Sequence, residues 1–168
     1  MKARLVPTGA TVLAMVVASP RAVFSQAPLN PASWTLQVPA KPVAVAGALT
    51  ATLSARIERG WHMYSITQPP GGPITTRVSV PDGQPFALSG EVKGPKPVKK
   101  RDDVFAMDVE YYDEGADFSV PVKVAPGTSP GKQKLTVQVR YQMCNDRLCL
   151  PPKTVKAEAE VEVSTPVR

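Results

Sequence analysis

The chain has 168 residues, 43% of them hydrophobic and 20% charged, with a formal net charge of +6. That length favours one domain with appendages over two full domains, and the mixture is able to bury a core. The 19 prolines are scattered among short apolar runs, which argues for turns and strands and against long helices.

Residues 1–25 read as a secretory signal. Lys2 and Arg4 precede an apolar stretch from about Leu5 to Ala18, and small residues lead to a cleavage point after Ser25 with Val23 at −3. Pro7, Gly9 and Pro20 interrupt the stretch, which is too short to span a membrane comfortably. Export is therefore expected. Loss of Lys2, Arg4 and Arg21 leaves 17 basic residues against 14 acidic ones, a net charge of +3. Residues 26–33 read as a flexible lead-in, and residues 34–164 as one folded domain.

Within that domain, apolar residues recur with period two. Leu49, Ala51, Leu53, Ala55 and Ile57 share one face, opposite Thr50, Thr52, Ser54, Arg56 and Glu58. Val78 and Val80 lie opposite Arg77 and Ser79. The same alternation runs through Phe118–Val124, Leu135–Met143 and Val155–Val163. Turn residues punctuate the runs at 68–73, 81–83, 93–95 and 126–131. Strands with one buried and one wet face, and no segment of helical spacing, predict an all-β fold, an immunoglobulin-like β-sandwich or a similar barrel. The basic run Lys96, Lys99, Lys100 and Arg101 has no interleaved aromatics; it reads as a solvated loop, and no nucleic-acid partner is expected.

Cys144 and Cys149 are the two cysteines. One closes an alternating run, the other precedes the next, and Asn145 and Asp146 favour a turn between them. The pair is therefore expected to face across the mouth of a hairpin, within disulfide reach, and an exported chain permits the bond. As a staple it would contribute little. Closing a ring of about six residues is worth roughly 2 kcal/mol, against about 4.7 kcal/mol for a 100-residue loop, and the hairpin already closes that ring. Trp34 and Trp61 both precede the pair, unlike the intersheet disulfide of immunoglobulin domains, which has a Trp between its cysteines. A short surface loop suits exchange, because access of a thiolate limits the rate. Composition and spacing leave exchange and staple both open. The non-redox alternative is an exported interaction domain with a structural disulfide.

At these residues the chain resembles the N-terminal periplasmic domain of the thiol:disulfide interchange protein DsbD family. Tyr141-Gln142, Cys144, Cys149 and Pro151-Pro152 resemble the family's active-site hairpin. Gly60-Trp61-His62-Met63-Tyr64 resembles its Gly-aromatic-x-x-Tyr strand, and Asp102-Asp103-Val104-Phe105, with Glu110 and Tyr112, resembles its cap loop. The resemblance spans roughly 34–163. It implies an immunoglobulin-like sandwich, with Phe105 as a cap over the cysteine pair that moves aside for a partner. Cys149 would form the mixed disulfide and Cys144 would resolve it. His62 and Tyr64 would line the site, with Asp103 near the sulfurs.

The implied partners are thioredoxin-like periplasmic proteins, with disulfide isomerases or cytochrome c maturation proteins downstream; the implied activity is that of a thiol:disulfide oxidoreductase component. The best-known members have one more residue between the cysteines. This chain has neither the family's membrane electron-conducting domain nor its C-terminal thioredoxin-like domain, so a separate membrane electron donor is expected.

Two residues also have plainer readings. Phe105 on its own suggests a core aromatic. His62, the one histidine, reads on its own beside Trp61 as a packed or surface residue; together with Met63, Met107, Met143 and the cysteines it could suggest soft-metal binding. Their spacing matches no compact metal motif, so neither metal nor cofactor is expected. Nothing points to a hydrolase or transferase.

Overall fold

The computed structural model describes residues 29–103 and 105–165; the expected signal, most of the lead-in and Val104 lie outside them. Twelve strands and no helix are found among the described residues. They are β1 (Ala32–Gln37), β2 (Val43–Ala44), β3 (Ala48–Ile57), β4 (His62–Tyr64), β5 (Arg77–Ser79), β6 (Phe86–Leu88), β7 (Val98–Asp102), β8 (Met107–Tyr112), β9 (Gly115–Val124), β10 (Gly131–Tyr141), β11 (Met143–Cys144) and β12 (Lys153–Ser164).

One sheet has the order β1-β3-β9-β6 and a second the order β2-β12-β10-β5. Their inner faces supply a single core. Leu53 lies opposite Phe118 and Ala51 opposite Val120 in the first sheet; Val137 lies opposite Ala157 and Val139 opposite Val155 in the second. Leu53, Phe118, Val120, Val137 and Val139 are fully buried. Trp34 stacks on Phe118, with ring centroids 6.1 Å apart, and tilts against Tyr141 at 5.2 Å, so β1 closes one side of the core. This is the immunoglobulin-like sandwich that the alternation predicts.

The wet face of β10 and β12 shows what holds the register from outside. Lys132 pairs with Glu160 at 3.2 Å and Lys134 with Glu158 at 3.0 Å. These pairs are open to water, where such pairs contribute little. A slip of one residue would carry the alternating Lys and Glu of both strands into the core, so burial fixes the register far more strongly than they do.

A third sheet, β11-β4-β8-β7, lies beside the sandwich and corrects two expectations. The basic run is a strand, not a loop. Val98–Asp102 pairs with Met107–Asp108 and on to Tyr111 at the edge of this sheet. Both of its faces are largely exposed, so no alternation marks it, and lysines suit an unprotected edge. The run Leu135–Met143 is also two strands rather than one. It leaves the second sheet after Tyr141, and Met143–Cys144 pairs with β4 of the third. In addition, β1 starts at Ala32, two residues before the expected boundary.

Burial makes a checkable difference. Leu53 is fully enclosed whereas Leu148 is 49% exposed. Leu53→Ala should lower unfolding stability by about 2–5 kcal/mol, as other large-to-small core changes do. Leu148→Ala should change it by less than about 0.5 kcal/mol. Urea midpoints of the two variants would measure both.

Candidate functional site: a cysteine hairpin on the third sheet

Alternation sorts the third sheet into two faces. Met63, Met143 and Tyr112 turn toward the sandwich and join its core. Tyr64, Val109 and Cys144 turn the other way and form a small separate cluster, with Met107 and Tyr111 packed against it. The second face floors an open cleft of about 940 Å³ whose wall includes His62, Tyr64, Asp103, Phe105, Cys144 and Cys149. All six predicted site residues are thus brought to one cleft. Asp103 and Phe105 lie at the tip of the β7–β8 hairpin.

Cys144 and Cys149 are joined by a disulfide, with Cα atoms 4.0 Å apart. The backbone explains the close approach. Leu150 N–H donates to Met143 C=O at 2.8 Å and Asn145 N–H donates to Leu148 C=O at 2.9 Å. These two bonds flank the cysteines, which therefore form a non-hydrogen-bonded antiparallel pair, the narrower of the two kinds. The turn follows from Asn145, whose side-chain oxygen accepts from Arg147 N–H and Leu148 N–H, each at 2.9 Å. Gln142 adds a bond from its amide to Leu150 C=O at 3.1 Å. Cys144 is buried, at 1% exposure, whereas Cys149 is exposed.

His62 lies directly opposite Cys144 in the antiparallel pairing of β4 and β11. Its ring meets Tyr64 edge-on at 5.3 Å and Tyr111 at 5.1 Å, and its Nε2 is 3.4 Å from the Tyr64 hydroxyl. Burial holds the imidazole below its ordinary range. Asp146, Asp102 and Asp113 pull the other way, and Lys100 adds to the lowering. Burial, then Asp102, raises the Tyr64 phenol.

Phe105 is 37% exposed, so the core reading of this residue fails. Its N–H donates to the Asp102 carboxylate at 3.1 Å. Ala106 next to it holds a left-handed backbone, φ 53°, a conformation that costs a residue with a Cβ about 1–2 kcal/mol.

Behind the sheet, Glu110 is 9% exposed. Its carboxylate meets Lys99 Nζ at 2.7 Å and accepts from the hydroxyls of Thr67 at 2.5 Å and Ser65 at 3.3 Å. Its N–H donates to the Gln68 side-chain oxygen at 2.7 Å. One residue thereby ties the segment after Tyr64 to β8 and, through Lys99, to β7. The hydrogen bonds from Lys99 and Thr67 hold the carboxyl below its usual range against the effect of burial. This role was missed in the sequence, although a Glu alternating with Val109 and Tyr111 and hydroxyls spaced two apart at Ser65 and Thr67 were its signal. The contributions of Lys100, Tyr111 and Asp146 were missed too, because they depend on pairing across the sheet. Among the described residues, no group of three or more His, Cys, Asp or Glu is arranged to hold a metal ion.

A depressed carboxyl contributes stability above its ordinary value, and that contribution is lost as pH falls through the folded value. Glu110→Gln should therefore lower stability by about 1–3 kcal/mol at pH 7, as loss of a buried charge-assisted bond does. The gap from wild type should close as the solution is acidified below the usual carboxylate range. Urea unfolding from pH 7 to pH 3 checks both the sign and the convergence.

Comparison with known proteins bears on this arrangement. No curated protein matches the chain. The reduced N-terminal domain of DsbD from Neisseria meningitidis is similar over 77% of this chain and 86% of its own, with a TM-score of 0.50 and 16% identity. The N-terminal periplasmic domain of ScsB from Proteus mirabilis is similar over 83% of this chain, with a TM-score of 0.50 and 13% identity. The chain spans about half the length of that domain (49%). At these identities the two structures speak for the fold. The sequence itself is matched from residue 33 to residue 160 by the family described as the N-terminal part of the thiol:disulfide interchange protein DsbD, and this chain belongs to that family.

Proposed function

We propose that this protein is a periplasmic thiol:disulfide exchange relay that passes electrons between thioredoxin-like proteins through Cys144 and Cys149. The observation that carries the reading is the split burial of the pair. Cys149 stands exposed at the rim of an open cleft while its partner is enclosed. An incoming thiolate must approach one sulfur in line with the sulfur–sulfur bond, and the exposed Cys149 is the approachable end.

The exchange then runs in two steps. A thiolate of a reduced partner attacks Cys149 Sγ, forming a mixed disulfide, and the Cys144–Cys149 bond breaks with the electron pair leaving on Cys144. The partner's second thiol attacks its own sulfur in the mixed disulfide and frees Cys149 as a thiolate. The partner is oxidised by two electrons, and this pair is reduced and takes up two protons. Run in reverse, the same steps reduce a downstream protein. Membership of the DsbD N-terminal family supports this chemistry, and the secretory signal expected over residues 1–25 supports the compartment. In this reading Phe105 caps the pair and swings away on docking, with Asp103, His62 and Tyr64 lining the exposed site. A separate membrane protein supplies the electrons, and disulfide isomerases or cytochrome c maturation proteins receive them.

Two measurements test the reading. The reduction potential of the pair, equilibrated against a dithiol buffer and read by alkylation, should lie between roughly −180 and −270 mV; a value below about −300 mV marks a structural bridge and overturns the proposal. With a thioredoxin-like domain as partner, Cys144→Ser should accumulate a mixed disulfide through Cys149. Cys149→Ser should trap at least about tenfold less, because the remaining thiol is buried and access limits exchange.

A further inference from the structure

The two sulfurs do not face the same problem when their bond opens. Cys149 is at the surface, where water can solvate a thiolate. Cys144 is 1% exposed, in a cluster with Tyr64 and Val109. An unpaired thiolate there is disfavoured by desolvation, so each passage through the reaction requires a proton to reach or leave Cys144 Sγ. The backbone puts one titratable base beside it. His62 is the cross-strand neighbour of Cys144, and directly opposed residues in antiparallel strands have Cβ atoms about 4.5–5.5 Å apart on the same face.

We propose that His62 is the proton-transfer partner of Cys144. The proposal rests on the exchange reading above and adds the group that makes the buried half of it feasible. When the pair is being reduced, the protonated imidazole gives its proton to the Cys144 sulfur as the bond to Cys149 breaks. When the pair is giving up electrons, the neutral imidazole removes the proton from Cys144. The resulting thiolate attacks Cys149 Sγ in the mixed disulfide, the partner leaves as a thiolate, and the proton passes from His62 to it or to water. Bonds, protons and electrons balance in both directions without a further reagent.

The surroundings suit this role. Tyr64 beside it on β4 and Tyr111 on β8 hold the ring by an edge-on and a tilted contact. The charges acting on it come from three directions: Asp146 in the cysteine turn, Lys100 and Asp102 on β7, and Asp113 after β8. Burial outweighs the three carboxylates and favours the neutral ring at neutral pH, the form needed when this pair reduces a partner. No other histidine is present in the chain, so its ring signal in a proton NMR spectrum is unambiguous.

The test uses the oxidised mature protein and dithiothreitol. The rate of reduction is divided by the concentration of dithiothreitol thiolate at each pH, which removes the titration of the attacking thiol. Expected is a corrected rate that rises at least threefold from pH 8 to pH 5, with a midpoint coincident with the NMR titration of His62. His62→Gln should abolish the rise. A corrected rate that stays flat through the imidazole titration in wild type, or a rise that survives in His62→Gln, overturns the role of His62 and leaves exchange standing. The wild-type profile decides this even if the variant does not fold. A pair that a reduced thioredoxin-like protein fails to reduce at any pH overturns the exchange reading itself, and this inference with it.

Discussion

The site depends on one geometric constraint, the two-residue period of a strand at the point where the chain changes sheets. Met143 has to fill the sandwich core beside Met63, so Cys144 has to face the opposite side beside His62. A core contact thereby aims a chemical group. Had the chain continued into β12 through a tight turn after Tyr141, both cysteines would sit at the end of the sandwich with no floor beneath them. Residues 142–152 instead leave the β10–β12 hairpin, with Met143 and Cys144 pairing with β4, and the third sheet lines the cleft.

Much of the sandwich was legible because its strands have one dry face and one wet one. Leu49–Ile57 and Phe118–Val124 show that contrast residue by residue, and burial follows it. The edge strand β7 was not legible, because water on both faces removes the pattern that a reader looks for. The sheet change at Gln142 was also hidden, for a different reason: alternation continues unbroken whichever neighbour a strand takes. The hairpin geometry of the cysteines could be read from Asn145 and Asp146, since an Asx turn is a local device. The opposition of His62 and Cys144 could not, because it arises from register between strands far apart in the chain.

The third sheet is held on its sandwich-facing side by two different kinds of force. Toward the sandwich, Met63, Met143 and Tyr112 bury apolar surface. Where Glu110 lies, the binding is polar, joining Lys99, Ser65, Thr67 and Gln68 to one carboxylate and its own backbone. The first force is insensitive to direction, while the second sets distances. The β7–β8 hairpin, which carries an exposed Phe105 and a left-handed Ala106, is thereby anchored at its base.

The hairpin that carries the cysteines is closed by backbone bonds at 143–150 and 145–148 and by the Asn145 turn. None of these involves sulfur. The chain on either side of the bond is thus restrained whether the bond is made or broken, and breaking it frees few conformations. In the proposed relay, such a hairpin would keep nearly the same folding free energy with the disulfide made or broken. The affinity for electrons that the proposal requires would then be a property of two sulfur atoms and their immediate neighbours, and mutations that weaken the sandwich could accumulate without detuning it.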